Sequence, residues 1–440
     1  MTPWHKFKLD WAGKRVLIMG LGLQGGGVGA AKIFAKAQAK VTVTDLKSAD
    51  QLQSPLDQLK GLAINFVLGE HRQPDFLTTD LILRNPDVNY HHPLLKLARS
   101  KHIPIAMDAS IFARYCSLPI IGVTGTRGKT TTATMIYEIL EQLSGLPVFL
   151  AGNIPGTATL ELLSQLENKG LVVLELSSWA LQGWHDAKVS PHIAVFTNFY
   201  EDHLNRYASM EEYFQDKLAI TQYQQPTDWL VVNQQLKAIT THAQIRQFST
   251  ADWPADIKLA IPGPHNRANA AAALAVTDAL GLNHNQALKI IAAFPGVPYR
   301  LETVATINGI SFINDTTATT PTATIAALKA VDRPVWLIAG GNDKNLDFSQ
   351  LGQVVSQRVK GVFLLQGSAT PKLIQAIKIA GGGELIEDQY GKLQSAVTAA
   401  FKQAQPGDVI LLSPAATSFG MFVNEFDRGR QFNTLVKSLQ

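Results

Sequence analysis

The sequence predicts an α/β protein built as three successive units, each a mostly parallel sheet flanked by helices. Three observations lead there. Short β-branched runs alternate with helix-like segments along almost all of the 440 residues. Hydrophobic residues make up 46% of the chain against 17% charged, enough for several packed cores and far from a disordered composition. Two glycine-rich loops each stand between an apolar run and a helix, where open α/β sheets hold phosphates.

Residues 1–116 form the first expected unit, a Rossmann-like domain. Its strands are read at Val16–Met19, Val41–Thr44, Leu81–Leu83 and Ile103–Ala106, with "GAAKIFAKAQ" as an intervening helix. The second unit, 117–295, restarts at "LPIIGVT" and continues through a long helix, "LVVLEL", "IAVFTN" and "WLVVNQ". It closes on the Ala-rich helix "HNRANAAAALAVTDAL" and reads as a P-loop ATPase-type domain with a mostly parallel sheet. The Pro and Gly density of "FPGVPYR" marks a boundary. Beyond it, 296–440 repeats the alternation in "ISFIND", "PVWLIAG", "GVFLLQ" and "DVILLSP", a second Rossmann-like unit with no visible sequence repeat.

Composition narrows the function classes. The net charge of +4 is small and its Lys and Arg are scattered, which argues against nucleic-acid binding but leaves anionic small molecules open. The single cysteine, Cys116, excludes an internal disulfide and a cysteine metal site, and is read as core packing in a reducing compartment. The opening "MTPWHKFKLDWAGKRV" lacks a signal-peptide core, and no run approaches the roughly 20 apolar residues that span a bilayer. A cytoplasmic protein without membrane insertion is the expectation.

In the first loop Gly20, Gly22 and Gly25 satisfy G-x-G-x-x-G after a strand and before a helix, and Asp45 ends the next strand where a ribose-binding acid would stand. A nucleotide site and a tight structural turn both fit. The second loop is more specific: Gly125, Gly128, Lys129 and Thr130 fit a P-loop, whose backbone amides wrap phosphates while the lysine reaches the terminal ones and the hydroxyl meets Mg²⁺. Val123 stands where the strict pattern has glycine.

Further segments follow in fixed order: "LELSSWALQ", "NFYEDHLNRY", "YFQDKLAI", "GPHNRANAAAALA", "PYRLE", "INDTTATTP", "GGNDKNLDF" and "LLSPAATSFGMFVNEFDRGRQF". Together with "TGTRGKTTT" they make the chain resemble the Mur ligase family, the ATP-dependent amino-acid ligases of peptidoglycan precursor synthesis. The resemblance spans essentially the whole chain and is strongest to the branch that adds D-glutamate to UDP-N-acetylmuramoyl-L-alanine. It implies that ATP phosphorylates the substrate carboxylate and that the incoming amine attacks the acyl phosphate. The first loop then serves the UDP moiety.

The resemblance also implies the site residues. ATP would lie on Gly125, Thr126, Arg127, Gly128, Lys129, Thr130 and Thr131, with Asn269, Arg300 and Asp315 contributing from further along. Thr130, Glu175, His203 and a carbamylated Lys217 would hold Mg²⁺, two ions being expected, and Lys129 would steady the transferring phosphoryl group. Only a neutral amine reacts with CO₂, so Lys217 must have its pKa lowered from about 10.4; an ordinary surface lysine is the alternative. The UDP-substrate contacts are Leu23, Gln24, Asp45, Leu46, Lys47, Asn85 and Asn153, the last also readable as a turn residue. Thr319, Lys344, Ser418 and Phe419 match the glutamate-binding positions.

The chain departs from the family pattern in places. Arg127 replaces the usual asparagine, Tyr299 a histidine, and Ala180 a glutamine whose contact Gln182 could supply. Thr317 stands where a lysine is common and Glu425 where an aromatic is usual. One cation fewer and one acid more in the amino-acid pocket leaves a sister ligase adding L-glutamate as the alternative. A nicotinamide-dependent dehydrogenase would leave Lys129, Glu175 and His203 without work, and a non-catalytic ATP-binding module would need the metal residues without turnover. A monomer is expected.

Overall fold

Three parallel or mostly parallel sheets organise the chain. In the computed structural model the described residues are 1–21, 26–154, 158–202, 207–236, 239–261, 263–343, 346–418 and 420–439. The sequence-derived candidates Leu23, Gln24, His203, Lys344 and Phe419 lie outside them.

The first sheet contains β1 (Arg15–Met19), β2 (Lys40–Asp45), β3 (Ile64–Leu68), β4 (Leu81–Arg84) and β5 (Ile105–Ala106), all parallel in the order β3-β2-β1-β4-β5. The second contains β6 (Ile120–Thr124), β7 (Val148–Gly152), β8 (Leu171–Glu175), β9 (Ile193–Phe196), β10 (Trp229–Asn233) and β11 (Gln244–Phe248), again all parallel, ordered β11-β10-β9-β6-β8-β7. Strands buried on both faces need continuous apolar runs. Val16–Met19, β6, β8 and β9 supply them, every one of these residues being buried.

Chain contacts divide the molecule into two units, 1–259 with 264–294, and 260–263 with 295–440. In the first unit the two sheets share a core that includes Phe7, Phe34, Leu160, Leu163 and Trp184. The opening segment is part of it. Thr2 caps the helix Pro3–Trp11, with proline at its first position, and the helix buries Phe7. The Phe7 ring lies 5.0 Å from Phe34 and 5.1 Å from Tyr115, and Trp11 lies 5.2 Å from Phe34. Such aromatic pairs add about 0.5–1.5 kcal/mol each beyond their buried area. Cys116 packs against the same core, and burial pushes its thiol up to about 11.

The second unit holds β12 (Glu302–Ile307), β13 (Ile310–Asn314), β14 (Val335–Gly340), β15 (Val359–Leu365), β16 (Ile386–Tyr390) and β17 (Val409–Leu412), ordered β12-β13-β17-β14-β15-β16. Among the described strands of this sheet, only the β12–β13 pair is antiparallel. Its two apolar faces are covered separately, one around Leu337, Leu351 and Leu373 and the other around Phe312, Ile410 and Phe432. No helix among the described residues is long and apolar enough to cross a membrane.

Candidate active site

The site of the first unit grows from the C-terminal end of β6. The strand runs into residues 125–128, and the helix Lys129–Leu143 starts immediately after, so the helix N-terminus faces the loop. Gly125 (φ 145°) and Gly128 (φ 78°) hold backbone angles that disfavour a side chain. A Cβ at Gly125 would collide with the Thr197 hydroxyl, and one at Gly128 with the Asn269 amide. Both glycines are thus hemmed in on the side a Cβ would occupy. Asn198 brackets the loop, accepting from the Arg127 amide at 2.8 Å and donating to the Arg127 carbonyl at 3.0 Å. Thr197 donates to the same carbonyl at 2.7 Å, and Asn233 donates to the Thr197 carbonyl at 3.0 Å. Lys129 bends back so that its Nζ donates to the carbonyls of Gly125 and Thr126 at 3.2 and 3.0 Å.

Beside the loop, Glu175 ends β8 with only 2% of its surface exposed. The Thr130 hydroxyl donates to its Oε2 at 2.6 Å and the Asn153 amide to its Oε1 at 3.2 Å. Asn153 also donates its backbone N–H to the Glu175 carbonyl at 2.9 Å, which fixes the end of β7 against that of β8. Among the described residues no lysine or arginine forms an ion pair with Glu175. A buried carboxylate held by two neutral donors, beside a hydroxyl at a P-loop helix, is a donor set that fits a Mg²⁺–nucleotide.

Lys217 reaches the same loop from the helix Met210–Gln222. Its Nζ donates to the Gly125 carbonyl at 2.8 Å and lies 4.7 Å from the Tyr213 ring centre, with 1% of the residue exposed. Burial above all, and then the nearby charge of Lys129, lower its pKa well below the usual lysine value, against the opposing pull of Asp202, Asp216 and Glu175. The shift is in the direction that carbamylation requires. Asp202 pairs with Arg127 at 3.7 Å, so the residue that replaces the usual asparagine carries its own anion. Asn269 accepts from Thr132 at 3.3 Å and donates to Asn266 at 3.2 Å, buried beneath Gly128. Thr131 is half-buried on the first turn of the helix.

Asp45, at the end of β2, is held by two backbone N–H groups. Its Oδ2 accepts from the Leu21 backbone at 2.9 Å and its Oδ1 from the Lys47 backbone at 2.9 Å, which ties the loop to the end of β2. Leu46 and Lys47 are exposed, and Asn85 takes a 3.0 Å bond from its own N–H to the Met19 carbonyl beside that loop. Gln182, which could have supplied the contact missing at Ala180, is committed elsewhere. It accepts from Arg84 at 2.7 Å and donates to Asp216 at 2.7 Å, joining the end of β4 to the helix of Lys217. Spacing alone gave no sign of this bridge or of the Thr197, Asn198 and Asn233 brace, although Asn198 lies within the quoted "NFYEDHLNRY".

In the second unit Asp315 follows β13, 7% exposed, accepting from Ser413 at 2.8 Å and from the Leu301 N–H at 3.2 Å. Burial raises its pKa to about 7. Arg300 is exposed. Thr319 is half-buried with its N–H on the Thr317 carbonyl at 2.9 Å, and Ser418 is 3% exposed. Thr317, where a lysine is common, donates its hydroxyl to the Tyr299 carbonyl at 2.9 Å.

Fold and site define a P-loop nucleotide-binding α/β protein. More narrowly, the chain belongs to the Mur ligase family: the models of the MurD-like N-terminal domain, the Mur ligase middle domain and the glutamate ligase domain match residues 14–107, 123–253 and 299–416. It is 41% identical over 98% of its length to UDP-N-acetylmuramoylalanine–D-glutamate ligase of Roseiflexus sp. (strain RS-1), covering 100% of that protein. The enzyme of the same name from Borreliella burgdorferi (strain ZS7) is 35% identical, with 96% and 97% of the two chains covered. Among solved structures, UDP-N-acetylmuramate-alanine ligase MurC from Thermotoga maritima is similar in fold, with a TM-score of 0.61 at 21% identity over 97% of this chain and 100% of that one. MurF ligase from Thermotoga maritima in complex with ADP is likewise similar, with a TM-score of 0.58 at 17% identity over 98% and 97%.

Proposed function

We propose that the chain is an ATP-dependent ligase that joins D-glutamate to UDP-N-acetylmuramoyl-L-alanine, forming ADP, phosphate and the dipeptide product in the cytoplasmic stage of peptidoglycan synthesis. The observation that carries the chemistry is the buried Glu175 carboxylate bonded to Thr130 beside a P-loop, with the Lys217 amine on the same loop. The whole-length relatives carry the choice of substrates.

A carboxylate cannot condense with an amine until one oxygen becomes a leaving group, and phosphorylation by ATP supplies that. The N-terminus of the helix Lys129–Leu143 would hold the phosphates through backbone N–H groups, beside the loop 125–128 whose Thr126 and Arg127 N–H groups are bonded to Asn198. Lys129 leaves its carbonyl partners to follow the charge of the transferring phosphoryl group. Thr130, Glu175, His203 and carbamylated Lys217 would hold Mg²⁺, which when bound offsets the charge that gathers as carboxylate and phosphate meet. Carbamylation turns a buried amine into a buried anion, which gives Lys217 a reason to be neutral beforehand. Asn269 orients the nucleotide from beneath Gly128, and Arg300 and Asp315 are assigned to ATP as well. In this reading segments 1–116, 117–295 and 296–440 serve the UDP moiety, ATP and the amino acid respectively, and the chain acts as a monomer.

The amino-acid pocket favours a second reading at one point. With Thr317 in place of lysine and Glu425 in place of an aromatic, the same acceptor would receive L-glutamate. Phosphate release with ATP, Mg²⁺ and UDP-N-acetylmuramoyl-L-alanine, compared between D- and L-glutamate, separates the two. Release with D-glutamate alone is expected; release with L-glutamate alone replaces the first reading by the second, and release with neither overturns both.

A further inference from the structure

Arg428 is among the largest fully buried side chains, with 0% of its surface exposed, on the helix Glu425–Lys437 of the second unit. Among the described residues its hydrogen-bond acceptors are all uncharged. Nε donates to the Thr316 hydroxyl at 2.9 Å, Nη2 to the Thr316 carbonyl at 2.9 Å, and Nη1 and Nη2 to the Ala416 carbonyl at 3.4 Å. Among the described residues no carboxylate forms an ion pair with it. Glu425, one turn earlier, favours the charged form from beyond ion-pair distance, while burial pulls the pKa down to about 9.

The two loops that the guanidinium bridges leave neighbouring parallel strands, β13 and β17, at their C-terminal ends. That is where open α/β sheets bind ligands. The loops are also joined directly, since the Ala415 N–H donates to the Ala318 carbonyl at 2.9 Å. Ala415 holds φ 60°, a strained angle for a residue with a Cβ. Two residues beyond Ala416, the Ser418 hydroxyl is buried without a partner among the described residues. A buried cation with no ion-pair partner among the described residues, bonded to a loop that carries a buried hydroxyl lacking a partner two residues on, is an expensive arrangement unless an anionic group arrives.

We propose that Arg428 is a positioning and specificity residue for the amino-acid substrate, setting the Thr316–Thr319 and Ala416–Ser418 loops and biasing the pocket they form toward a side chain that carries a carboxylate. This rests on the functional reading above. It assigns electrostatic recognition to a residue that touches no substrate, acting through the loops and through a charge that Glu425 offsets only from beyond ion-pair distance.

The test is steady-state phosphate release by the full chain carrying Arg428→Met or Arg428→Lys, each substrate varied in turn. For R428M the KM for glutamate should rise about tenfold or more, while the KM values for ATP and the UDP substrate stay within about twofold. R428K keeps the charge but not the planar fork, so it should recover part of the loss. A folded R428M with an unchanged glutamate KM would overturn the proposal, as would a parallel rise in all three KM values. If R428M does not fold, R428K decides alone: a selective rise in glutamate KM supports the role and an unchanged one overturns it. Absence of glutamate-dependent release by the unsubstituted protein overturns the functional reading and this inference together; release by it with unaltered variant kinetics overturns this inference only.

Discussion

Replacing Glu175 by Gln asks whether that carboxylate is present for a cation or for the fold. The side chain takes hydrogen bonds from Thr130 at 2.6 Å and Asn153 at 3.2 Å while 2% exposed. Glutamine keeps the volume and an oxygen for Thr130; its amide nitrogen would meet the Asn153 amide, and a flip of the Asn153 side chain restores a donor–acceptor pair. Bonds to a charged group contribute about 1.5–3 kcal/mol against about 1 for neutral pairs, so weakening both costs roughly 1–4 kcal/mol. Removing a buried charge returns several kcal/mol of desolvation. The two terms nearly cancel, and E175Q should unfold in urea within about 2 kcal/mol of the parent when no nucleotide is present. Its phosphate release should fall by about 100-fold or more, because a neutral amide is a poor Mg²⁺ ligand. MgATP, which stabilises a protein that binds it in the folded state, should raise the melting temperature of the parent and much less that of the variant. An E175Q protein destabilised by more than about 3 kcal/mol yet within a few-fold of full activity would show the carboxylate to be structural and refute the reasoning.

Three further outcomes are expected. Lys217→Ala should lose most activity and regain part of it with short carboxylic acids, which stand in for the carbamate; full activity without rescue would remove Lys217 from the metal site. Asp315, raised to about 7 from 3.8, binds more protons folded than unfolded between those values, so its contribution is complete below about pH 4 and lost as pH rises to 7. Asp315→Asn should therefore gain on the parent between pH 5 and 8, by about 4 kcal/mol at most, and equal pH profiles of urea stability would contradict this. Gly128→Ala, which forces a Cβ onto the Asn269 amide at a left-handed backbone angle, should cost about 1–3 kcal/mol and raise the KM for ATP; unchanged values of both would show that the loop yields freely.

The sequence by itself determined the central strands, the P-loop and the order of the units, because those features are written in contiguous residues. Strands β1, β6, β8, β9, β14 and β17 are buried on both faces and appear as apolar runs. The strands missing from the sequence reading, β3, β7, β11, β12 and β16, are all edges. An edge strand is half in water, as "INFVL" and "QIRQF" show, so its pairing comes from the neighbour's free hydrogen-bonding groups and not from its own pattern. The glycine and lysine spacing of the loop likewise singled out Lys129 and Thr130 as candidates, since that pattern is confined to one turn.

Tertiary structure decided what those residues meet. Thr130 and Glu175 are 45 positions apart and become partners only because β6 and β8 are adjacent. For Lys217 the sequence offered a lysine of lowered pKa on resemblance, with an ordinary surface lysine as the alternative; packing against Gly125 buries it, and burial is what lowers its pKa. Asp45 meets the backbone of Leu21 and Lys47, and Gln182 meets Arg84 and Asp216, partners that adjacent strands and helices bring together and that spacing does not reveal. Arg428 lies within the quoted "LLSPAATSFGMFVNEFDRGRQF" but nothing there marks it as buried: a buried charge becomes visible only when the atoms around it are known, since desolvation depends on three-dimensional surroundings and not on neighbours in sequence.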